Sequence, residues 1–406
     1  MQEKQRILAV FFAAALLRIA TSLGFPGIHA VLDQRVELTT ASSSFKQLRE
    51  GLYLYKMGIS PFDGGVYHQA PLLLLIFDIL QKYCGSIDAS SIAINAVYCG
   101  LDSLAAWFLV KISQSGKFAG KQKLDGWIIA SIYLLNPLVI ATNLARSTSV
   151  FSNTLIFGAI YFANCSIPLS ILCLAAASNL NIYAIYLLPP FIFLWCPTKS
   201  VAKCALSAAT FAVSMAGFTS IGYFMSDGSL QYLRSTYGTL LFFSDLVPNI
   251  GLWWYFFMEI FDFFRPLFTY IFQLYSLIYV LPLTLRLHRE PLFAVVTIMG
   301  ITLISKSYPE VGDLGVYIAL LSLYRHIFTN VRYTLLSALV VIHALVLAPN
   351  FYHLWIYLGS GNSNFFYAVT LVYAIGIMLI LTDTLRATLR IEFDGGEEPR
   401  KAVAQI

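Results

Sequence analysis

Residues 365–385 read FFYAVTLVYAIGIMLILTDTL, an apolar run in which Asp383 is the single charged residue. A helix needs about 20 consecutive apolar residues to cross the hydrocarbon core of a bilayer. This run is long enough to do so, and it predicts a transmembrane helix. Comparable apolar runs recur near residues 7–25, 70–83, 90–110, 126–144, 147–164, 167–178, 180–196, 203–225, 250–264, 267–285, 291–305, 314–328 and 333–357.

The composition of the whole chain also indicates a membrane-embedded fold. Of its 406 residues, 58% are hydrophobic and 12% are charged, and the mean hydropathy is +0.72. Soluble domains carry about 25% charged residues, and no polar stretch between the runs is long enough to form a soluble domain. We therefore expect an all-α polytopic membrane protein, with residues 1–406 forming a single integral membrane domain of about 11–13 transmembrane or re-entrant helices.

The charges carry information about membrane topology. The net charge is +5, and the basic residues concentrate in short loops, which is typical of cytoplasmic loops and not of a nucleic-acid-binding surface. We expect residues 111–123, 199–203 and 286–289 and the tail, 387–406, to face the cytosol. Because Arg18 interrupts the first run, we expect it to be an uncleaved helix. A cytoplasmic N-terminus, which we prefer, places the interval 26–69 in the lumen.

Two polar segments carry helical amphipathic patterns. In the interval 26–69, apolar residues recur at Phe45, Leu48, Leu52 and Tyr55. A second copy of the pattern occurs at Leu230, Leu233, Tyr237 and Leu240. Each predicts an amphipathic helix that lies on the bilayer or caps the bundle; a gate over a substrate path is the alternative.

Prolines interrupt several of the apolar runs, at Asn136-Pro137, Pro189-Pro190, Pro266, Pro282 and Pro349. Broken helices are tolerated at membrane depth where protein or a wet cavity satisfies the freed backbone groups. Broken helices and interior polar groups recur together in membrane proteins that handle substrates. We therefore expect the bundle to enclose a cavity.

Residues 248–268, PNIGLWWYFFMEIFDFFRPLF, combine dense aromatics with Glu259, Asp262 and Arg265. On one continuous helix these three residues would form a single polar stripe. Charges at membrane depth are costly, so the stripe predicts either a cavity or ligand contact, or an end-of-helix cluster in which Arg265 pairs with Asp262 or snorkels. Trp253 and Trp254 favour a position at headgroup level.

Residues 358–367, LGSGNSNFFY, place three small residues and then Asn362, Ser363 and Asn364 before the last apolar run. Asn or Ser there would cap the helix N-terminus, and free backbone N–H groups at such an end bind anions. The cap accounts for one of these residues and not for all of them. A phosphate or sugar-hydroxyl contact is the alternative role for the others.

The sequence carries no recognisable nucleophile, metal site or cofactor motif. H-E-x-x-H, G-x-S-x-G, P-loop and G-x-G-x-x-G patterns are absent, and the six cysteines form no C-x-x-C pair; we expect no metal, no cofactor and no catalytic residue. The carboxylates of the first polar interval are Asp33, Glu37 and Asp63. One of them could serve as a general base, as in lipid-linked glycosyltransferases. No D-x-D or E-x-D pair accompanies Asp33, and a helix cap is its alternative role.

Three stretches carry a resemblance to a known family. They are PNIGLWWYFFMEIFDFFRPLF, SKSYPEVGDLG (305–315) and HALVLAPNFYHLWIYLGSGNSNFFYA (343–368). Together with SFKQLREGLYLYKMGISPFDGGVYHQAPLLL near the N-terminus, they resemble the PIG-U family nearly end to end, and the length suits a fungal member. Residues 60–74 are also similar to the glycosylphosphatidylinositol (GPI) mannosyltransferases, whose multi-span lipid-linked glycosyltransferase fold the family shares.

The resemblance implies a role as a non-catalytic subunit of the GPI transamidase in the endoplasmic reticulum membrane. In that complex a caspase-like subunit of the PIG-K type cleaves the attachment signal, and the GPI ethanolamine attacks the resulting thioester. The expected partners are this subunit and those of the PIG-T, PIG-S and GPAA types, with the GPI lipid as ligand. An active lipid-linked glycosyltransferase and a lipid transporter are the alternatives.

The same resemblance suggests which residues meet the GPI lipid. Aromatic side chains could form the walls of a groove for the acyl tails, and polar side chains could contact glycan hydroxyls, phosphate and the ethanolamine ammonium. The candidates are Trp253, Trp254, Phe257, Glu259, Asp262, Arg265, Asn362 and Asn364.

Overall fold

The structure, a computed structural model, describes residues 2–85, 88, 91–115, 124–197, 200–226 and 228–395. These residues form helices and no strand. The first ten α-helices are α1 (Gln2–Gly24), α2 (Ile28–Asp33), α3 (Phe45–Lys56), α4 (Pro71–Cys84), α5 (Ile92–Gln114), α6 (Gly126–Leu134), α7 (Pro137–Leu144), α8 (Ser149–Cys165), α9 (Ile167–Leu180) and α10 (Leu188–Trp195). The remaining ones are α11 (Val201–Met225), α12 (Gln231–Leu233), α13 (Thr239–Phe242), α14 (Trp253–Glu259), α15 (Arg265–Arg286), α16 (Pro291–Ser305), α17 (Val311–Leu321), α18 (Thr334–Tyr352) and α19 (Ser363–Phe393).

Several helices are joined or extended by helical turns of a different pitch. Tighter 3₁₀ turns occupy Ile182–Leu187, Asp262–Phe264 and Ser322–Thr329, and wider π turns occupy Arg234–Gly238 and His353–Tyr357. Counting these extensions, seven helices of the described chain are long and apolar enough to cross a membrane. The pair α6–α7, bent by 51°, makes an eighth candidate, and four further apolar helices are shorter. The predicted all-α polytopic fold is confirmed.

The helices pack into two groups that share one apolar core. In the first group α5, α6 and α8 pack together with α1 and α9, and α11 lies on α9. In the second group α16 contacts α15, α17 and α19, and α18 lies along α19. Contacts of α17 with α7 and of α10 with α16 join the groups. The span Val311–Thr329, which is α17 with its 3₁₀ extension, is the most deeply buried of these seven helices.

Prolines do not all act as the sequence predicts. Pro137 occupies the first turn of α7, where a missing N–H costs nothing, and it marks the 51° bend after α6. Pro266 likewise stands in the first turn of α15. Pro282 and Pro349, by contrast, lie inside α15 and α18, which continue through them. The expected interruptions at these two prolines are therefore wrong.

The two ends of the bundle can be identified from contacts between distant residues. At one end the Glu3 carboxylate accepts a hydrogen bond from the N–H of Gly126 at 3.2 Å. This places the N-terminus beside the loop predicted to be cytosolic, as the preferred topology requires, although residues 116–123 of that loop lie outside the described chain. Arg286 contacts Glu392 at 2.8 Å, so the 286–290 turn and the end of α19 also lie together. The tail beyond residue 395 is likewise outside the described chain.

Arg18, which interrupts the first apolar run, forms a buried ion pair with Asp102 of α5. Its Nη2 lies 2.8 Å from Asp102 Oδ2, and the two side chains are 2% and 1% exposed. Asp102 also accepts from Asn143 Nδ2 at 2.8 Å, and Arg18 donates to the carbonyl of Leu134 at 2.9 Å. A charge pair inside the bundle therefore ties α1 to α5, α6 and α7.

The two predicted amphipathic helices have different outcomes. Helix α3 covers the first pattern, and Phe45, Leu48 and Leu52 are buried as predicted. The second segment contains a π turn at Arg234–Gly238, which rotates the side chains that follow it. Its buried residues are Tyr232, Thr236, Gly238, Thr239 and Leu240. Of the predicted apolar face, Leu240 is buried and Leu233 and Tyr237 are half-buried, whereas Leu230 is exposed, so the prediction is confirmed in part.

Candidate functional site

Two of the conspicuous sequence stretches meet in space at one end of the bundle. Helix α14 packs against the start of α19, and the Tyr255 hydroxyl donates a hydrogen bond to Asn364 Oδ1. The rings of Tyr255 and Tyr367 stack with centroids 4.4 Å apart. Trp254 stacks on Trp355 at 5.8 Å and packs against Phe366 at 5.6 Å. The aromatic stretch and the LGSGNSNFFY stretch thus form one unit.

The third stretch, residues 305–315, supports the same unit from inside. The indole N–H of Trp253 donates to the carbonyl of Ser305 at 2.8 Å, and Tyr308 packs on Phe243 with ring centroids 4.9 Å apart. Glu310 and Asp313 form a capping box at the start of α17. The three stretches that are far apart in sequence therefore converge on α14.

The 305–315 stretch also contributes a buried charged cluster that the sequence did not single out. Lys306 pairs with Asp313, and Glu310 accepts hydrogen bonds from Ser147 Oγ and Ser149 Oγ, each at 2.8 Å. The buried charges of Lys306 and Glu310 require these polar partners, because an unpaired charge in an apolar interior is strongly destabilising. The sequence signal that could have indicated this cluster is a lysine and two acids within eight residues of an otherwise apolar region.

The three charged residues of the aromatic stretch do not share one helix, so the predicted polar stripe is wrong. Helix α14 ends at Glu259, and Ile260 has an extended backbone. Asp262 begins a separate 3₁₀ turn, and Arg265 begins α15. The acidic side chains of Glu259 and Asp262 are exposed and Arg265 is half-buried. Within the described chain no ion pair joins Asp262 to Arg265.

Arg265 is held by the loop that precedes α14. Its Nη2 donates to the carbonyl of Phe243 at 2.8 Å, and the guanidinium lies 5.7 Å from the ring centroid of Phe257. Phe243 adopts φ 48°, a left-handed conformation that is costly for a residue with a side chain. The Arg265 hydrogen bond to this carbonyl supports the strained turn, so the guanidinium has a structural partner.

All three residues of the predicted aromatic wall lie inside the protein. Trp253, Trp254 and Phe257 are fully or almost fully buried in the protein core, and the headgroup-level depth of the tryptophans stays a prediction. The exposed aromatics are their neighbours at the break between α14 and α15. Phe261 is 78% exposed and Phe263 is 86% exposed. Their alternation with Glu259 and Asp262 was the sequence signal for this surface.

The two asparagines have different roles. Asn362 caps α19, as the sequence predicted for one residue of its segment, because its Oδ1 accepts from the N–H groups of Asn364 and Phe365 at 3.1 and 3.3 Å. Asn364 holds Tyr255 through Oδ1, and both asparagines are exposed. Glu259 lies four residues after Tyr255, on the same face of α14. These two joined segments carry exposed carboxylates, amides and apolar rings, which we together call the α14–α19 surface (Glu259, Phe261, Asp262, Phe263, Asn362 and Asn364).

The side chains of this surface are suited to binding a ligand. Exposed carboxylates bind ammonium groups, amides bind hydroxyls, and flanking apolar rings suit a lipid interface. Arg265 begins α15 and Arg286 ends it, and the helix between them is about 33 Å long at 1.5 Å per residue. The surface thus lies at the end opposite the 286–290 turn, which is the predicted lumenal end. Among the described residues no group of three or more His, Cys, Asp or Glu could hold a metal ion.

Asp33, the candidate general base, caps a helix. Its carboxylate accepts from the backbone N–H groups of Phe45 and Lys46 at 3.1 and 2.9 Å and from Ser44 Oγ at 3.2 Å. Burial raises the pKa of Asp33, and these hydrogen bonds oppose that rise. A carboxylate that already accepts three hydrogen bonds at the N-terminus of α3 has a structural role.

Replacing Asp33 tests its two roles directly. We expect Asp33→Ala to lower the free energy of unfolding by about 1 kcal/mol, the usual cost of losing a helix cap. The measurement is the thermal midpoint of the purified protein, together with sugar transfer from a dolichol-phosphate donor. Transfer by the unmodified protein that is lost in Asp33→Ala would contradict the cap role.

The fold and the site define a polytopic helical membrane protein that lacks, in its described part, the metal-binding cluster of a metalloenzyme. Similarity to known proteins identifies the family. The family model described as GPI transamidase subunit PIG-U matches residues 12–373. The chain belongs to the PIG-U family of GPI transamidase subunits, and the predicted fungal membership is confirmed.

Characterised relatives cover the chain almost completely. It is 36% identical over 392 residues to the GPI transamidase component GAB1 of Saccharomyces cerevisiae, covering 96% of each chain. It is 34% identical over 369 residues to the GAB1 homolog of Schizosaccharomyces pombe, covering 89% of this chain and 88% of the relative. It is 32% identical over 420 residues to the GPI-anchor transamidase component PIGU of Mus musculus, covering 95% and 93%.

Proposed function

We propose that this protein is a non-catalytic subunit that binds or presents the GPI lipid for attachment to proteins. The observation that carries the proposal is the α14–α19 surface, where exposed carboxylates, amides and rings occupy two segments that the Tyr255–Asn364 hydrogen bond joins at the predicted lumenal end. GPI offers groups of matching chemistry: ethanolamine ammonium, glycan hydroxyls and acyl chains. The protein then acts in the endoplasmic reticulum membrane with caspase-like PIG-K, PIG-T, PIG-S and GPAA-type subunits.

The carboxylates supply the polar part of this recognition. Glu259 and Asp262 are exposed, and in the described chain neither forms an ion pair. Both are available for an ethanolamine ammonium, and a hydrogen bond to a charged group contributes about 1.5–3 kcal/mol. Asn364, whose side chain is exposed beside Tyr255, is placed to meet a glycan hydroxyl. Arg265 retains guanidinium N–H groups besides the one that Phe243 engages, and a phosphate suits them.

The apolar part of the recognition comes from the exposed rings. Phe261 lies between Glu259 and Asp262 in the sequence, and Phe263 lies between Asp262 and the first turn of α15. A lipid whose headgroup meets the acids can therefore place its chains beside these rings. The buried Trp253, Trp254 and Phe257 hold α14 in position beneath this surface. Their contribution to GPI binding is therefore indirect.

Removing both carboxylates tests the proposal. We expect the Glu259→Gln/Asp262→Asn protein to retain at least tenfold less GPI precursor, because each lost charged hydrogen bond is worth about a factor of ten or more. The measurements are mass spectrometry of GPI precursor that co-purifies with the complex and GPI attachment to a reporter protein in cells.

The control for this experiment is Lys56→Gln, which changes an exposed charge on α3 at the same end. It should leave both readouts unchanged, and recovery of the partner subunits should be equal for all three proteins. Normal GPI retention by the double variant would overturn the proposed site. Loss of partner subunits before loss of lipid would show that the carboxylates serve assembly and not ligand binding.

A further inference from the structure

The end of the bundle opposite the α14–α19 surface contains a half-open basin of about 340 Å³. It lies between the turn that joins α15 to α16 and the last turns of α19, and its walls include Arg286, Arg289, Glu290 and Glu392. Leu287 and Ile391 add apolar surface. Because these residues follow or end long apolar helices, the basin lies at the level of lipid headgroups on that side.

The charges of this basin are not all paired with one another. Arg286 and Glu392 form an ion pair at 2.8 Å and satisfy each other. Arg289 and Glu290 are adjacent in sequence and opposite in charge, but no ion pair joins them, and in the described chain neither has another ionic partner. Glu290 occupies the N-cap position of α16, yet its carboxylate accepts no hydrogen bond from that helix. The basin therefore keeps one free cation and one free anion among its described residues.

The surroundings of Glu290 indicate that its carboxylate lacks a cation. Partial burial, and then the negative charge of Glu392, raise the pKa of Glu290. An ammonium group bound there would offset both effects. A purely anionic ligand, by contrast, would suit Arg289 and be repelled by Glu290.

We propose that this basin binds the headgroup of a phosphoethanolamine phospholipid, with the phosphate on Arg289 and the ammonium on Glu290. A guanidinium fork matches phosphate geometry, and a primary ammonium can donate hydrogen bonds to a carboxylate. The exposed Leu285 directly precedes Arg286, and the exposed Leu281 lies about one turn earlier on α15, so the two offer an apolar path for the acyl chains.

The test measures lipid retention by the full chain, purified with its complex, in native mass spectrometry after exchange into vesicle lipids. Phosphatidylethanolamine should be retained about tenfold more than phosphatidylcholine, whose trimethylammonium cannot donate a hydrogen bond, or phosphatidylserine, which adds a negative charge. Arg289→Gln should lose most of this retention. Glu290→Gln should remove the preference for ethanolamine over choline.

Arg325→Gln is the matched control, because Arg325 is an exposed arginine that does not line the basin. It should leave retention unchanged. If the Arg289 variant aggregates, the Glu290 variant and the swapped pair Arg289→Glu/Glu290→Arg test the same pairing independently. Equal retention of all three lipids by the unmodified protein would overturn the proposal. Complete displacement of the lipid by equimolar glycerophosphoethanolamine would assign the basin to a soluble ligand and overturn the lipid assignment.

Discussion

Asp102→Ala is expected to lower the free energy of unfolding by about 3–5 kcal/mol, because it leaves the Arg18 guanidinium buried without its counter-charge. Arg18 and Asp102 are 2% and 1% exposed, so water cannot replace the lost partner. Asp102 also accepts from Asn143, whose amide then loses an acceptor. The expected result is a large drop in the thermal midpoint of the detergent-purified protein and a smaller yield of monodisperse material.

Two further proteins separate charge pairing from side-chain packing. The double variant Arg18→Met/Asp102→Leu removes both charges and should regain much of the lost stability, since apolar replacement of a buried pair is often neutral. The exposed pair Arg286–Glu392, 53% and 38% exposed, is the control. Its disruption by Glu392→Ala should cost about 0–1 kcal/mol. Equal losses for Asp102→Ala and Glu392→Ala would contradict a structural role for the buried pair.

The fold class could be predicted from the sequence because it depends on local composition. Apolar runs near 20 residues long determine membrane helices almost independently of their neighbours. Arg18 shows what local composition cannot predict. Its position inside an apolar run was visible, but its partner is 84 residues away on α5. Only the packing of α1 against α5 and α6 brings the two charges together.

Local breaks in the backbone are the second feature that the sequence does not predict. The predicted polar stripe assumed that residues 253–265 continue one helix, whereas the extended backbone at Ile260 separates α14 from α15. The amphipathic pattern near residue 230 is confirmed only in part for a related reason, because one π turn changes the angular position of every later side chain. Hydrophobic spacing does not encode such breaks when the flanking residues are apolar on both sides.

The sequence predicts which residues of the candidate site are polar and exposed, and their contact with a ligand stays a prediction. Glu259, Asp262 and Asn364 are exposed polar residues on the α14–α19 surface, and Asn362 provides the predicted cap. The tryptophans were assigned to the ligand because aromatic residues suit both lipid interfaces and protein cores. Burial decides between these roles, and burial depends on where the start of α19 packs.

Trp254→Ala is expected to cost about 3–5 kcal/mol, the usual effect of truncating a buried tryptophan. Trp254 is fully buried and contacts Trp355, Phe366 and Tyr367, which belong to the π turn after α18 and to α19. The cavity would separate α14 from α19 and release the Tyr255–Asn364 contact. We expect lower thermal stability of the protein and weaker recovery of its partner subunits.

Two comparison variants show whether Trp254 acts through packing or by touching the lipid. The indole N–H of Trp254 has no hydrogen-bond partner among the described residues, so Trp254→Phe keeps an aromatic ring without losing a hydrogen bond and should be much milder. Phe263→Ala removes an 86% exposed ring and should change stability by no more than about 0.5 kcal/mol, while reducing GPI retention. A Trp254→Ala protein that is stable and fully assembled but retains no GPI precursor would reverse this assignment and place Trp254 in the ligand site, because only a direct contact could remove binding without disturbing the packing of α14 on α19.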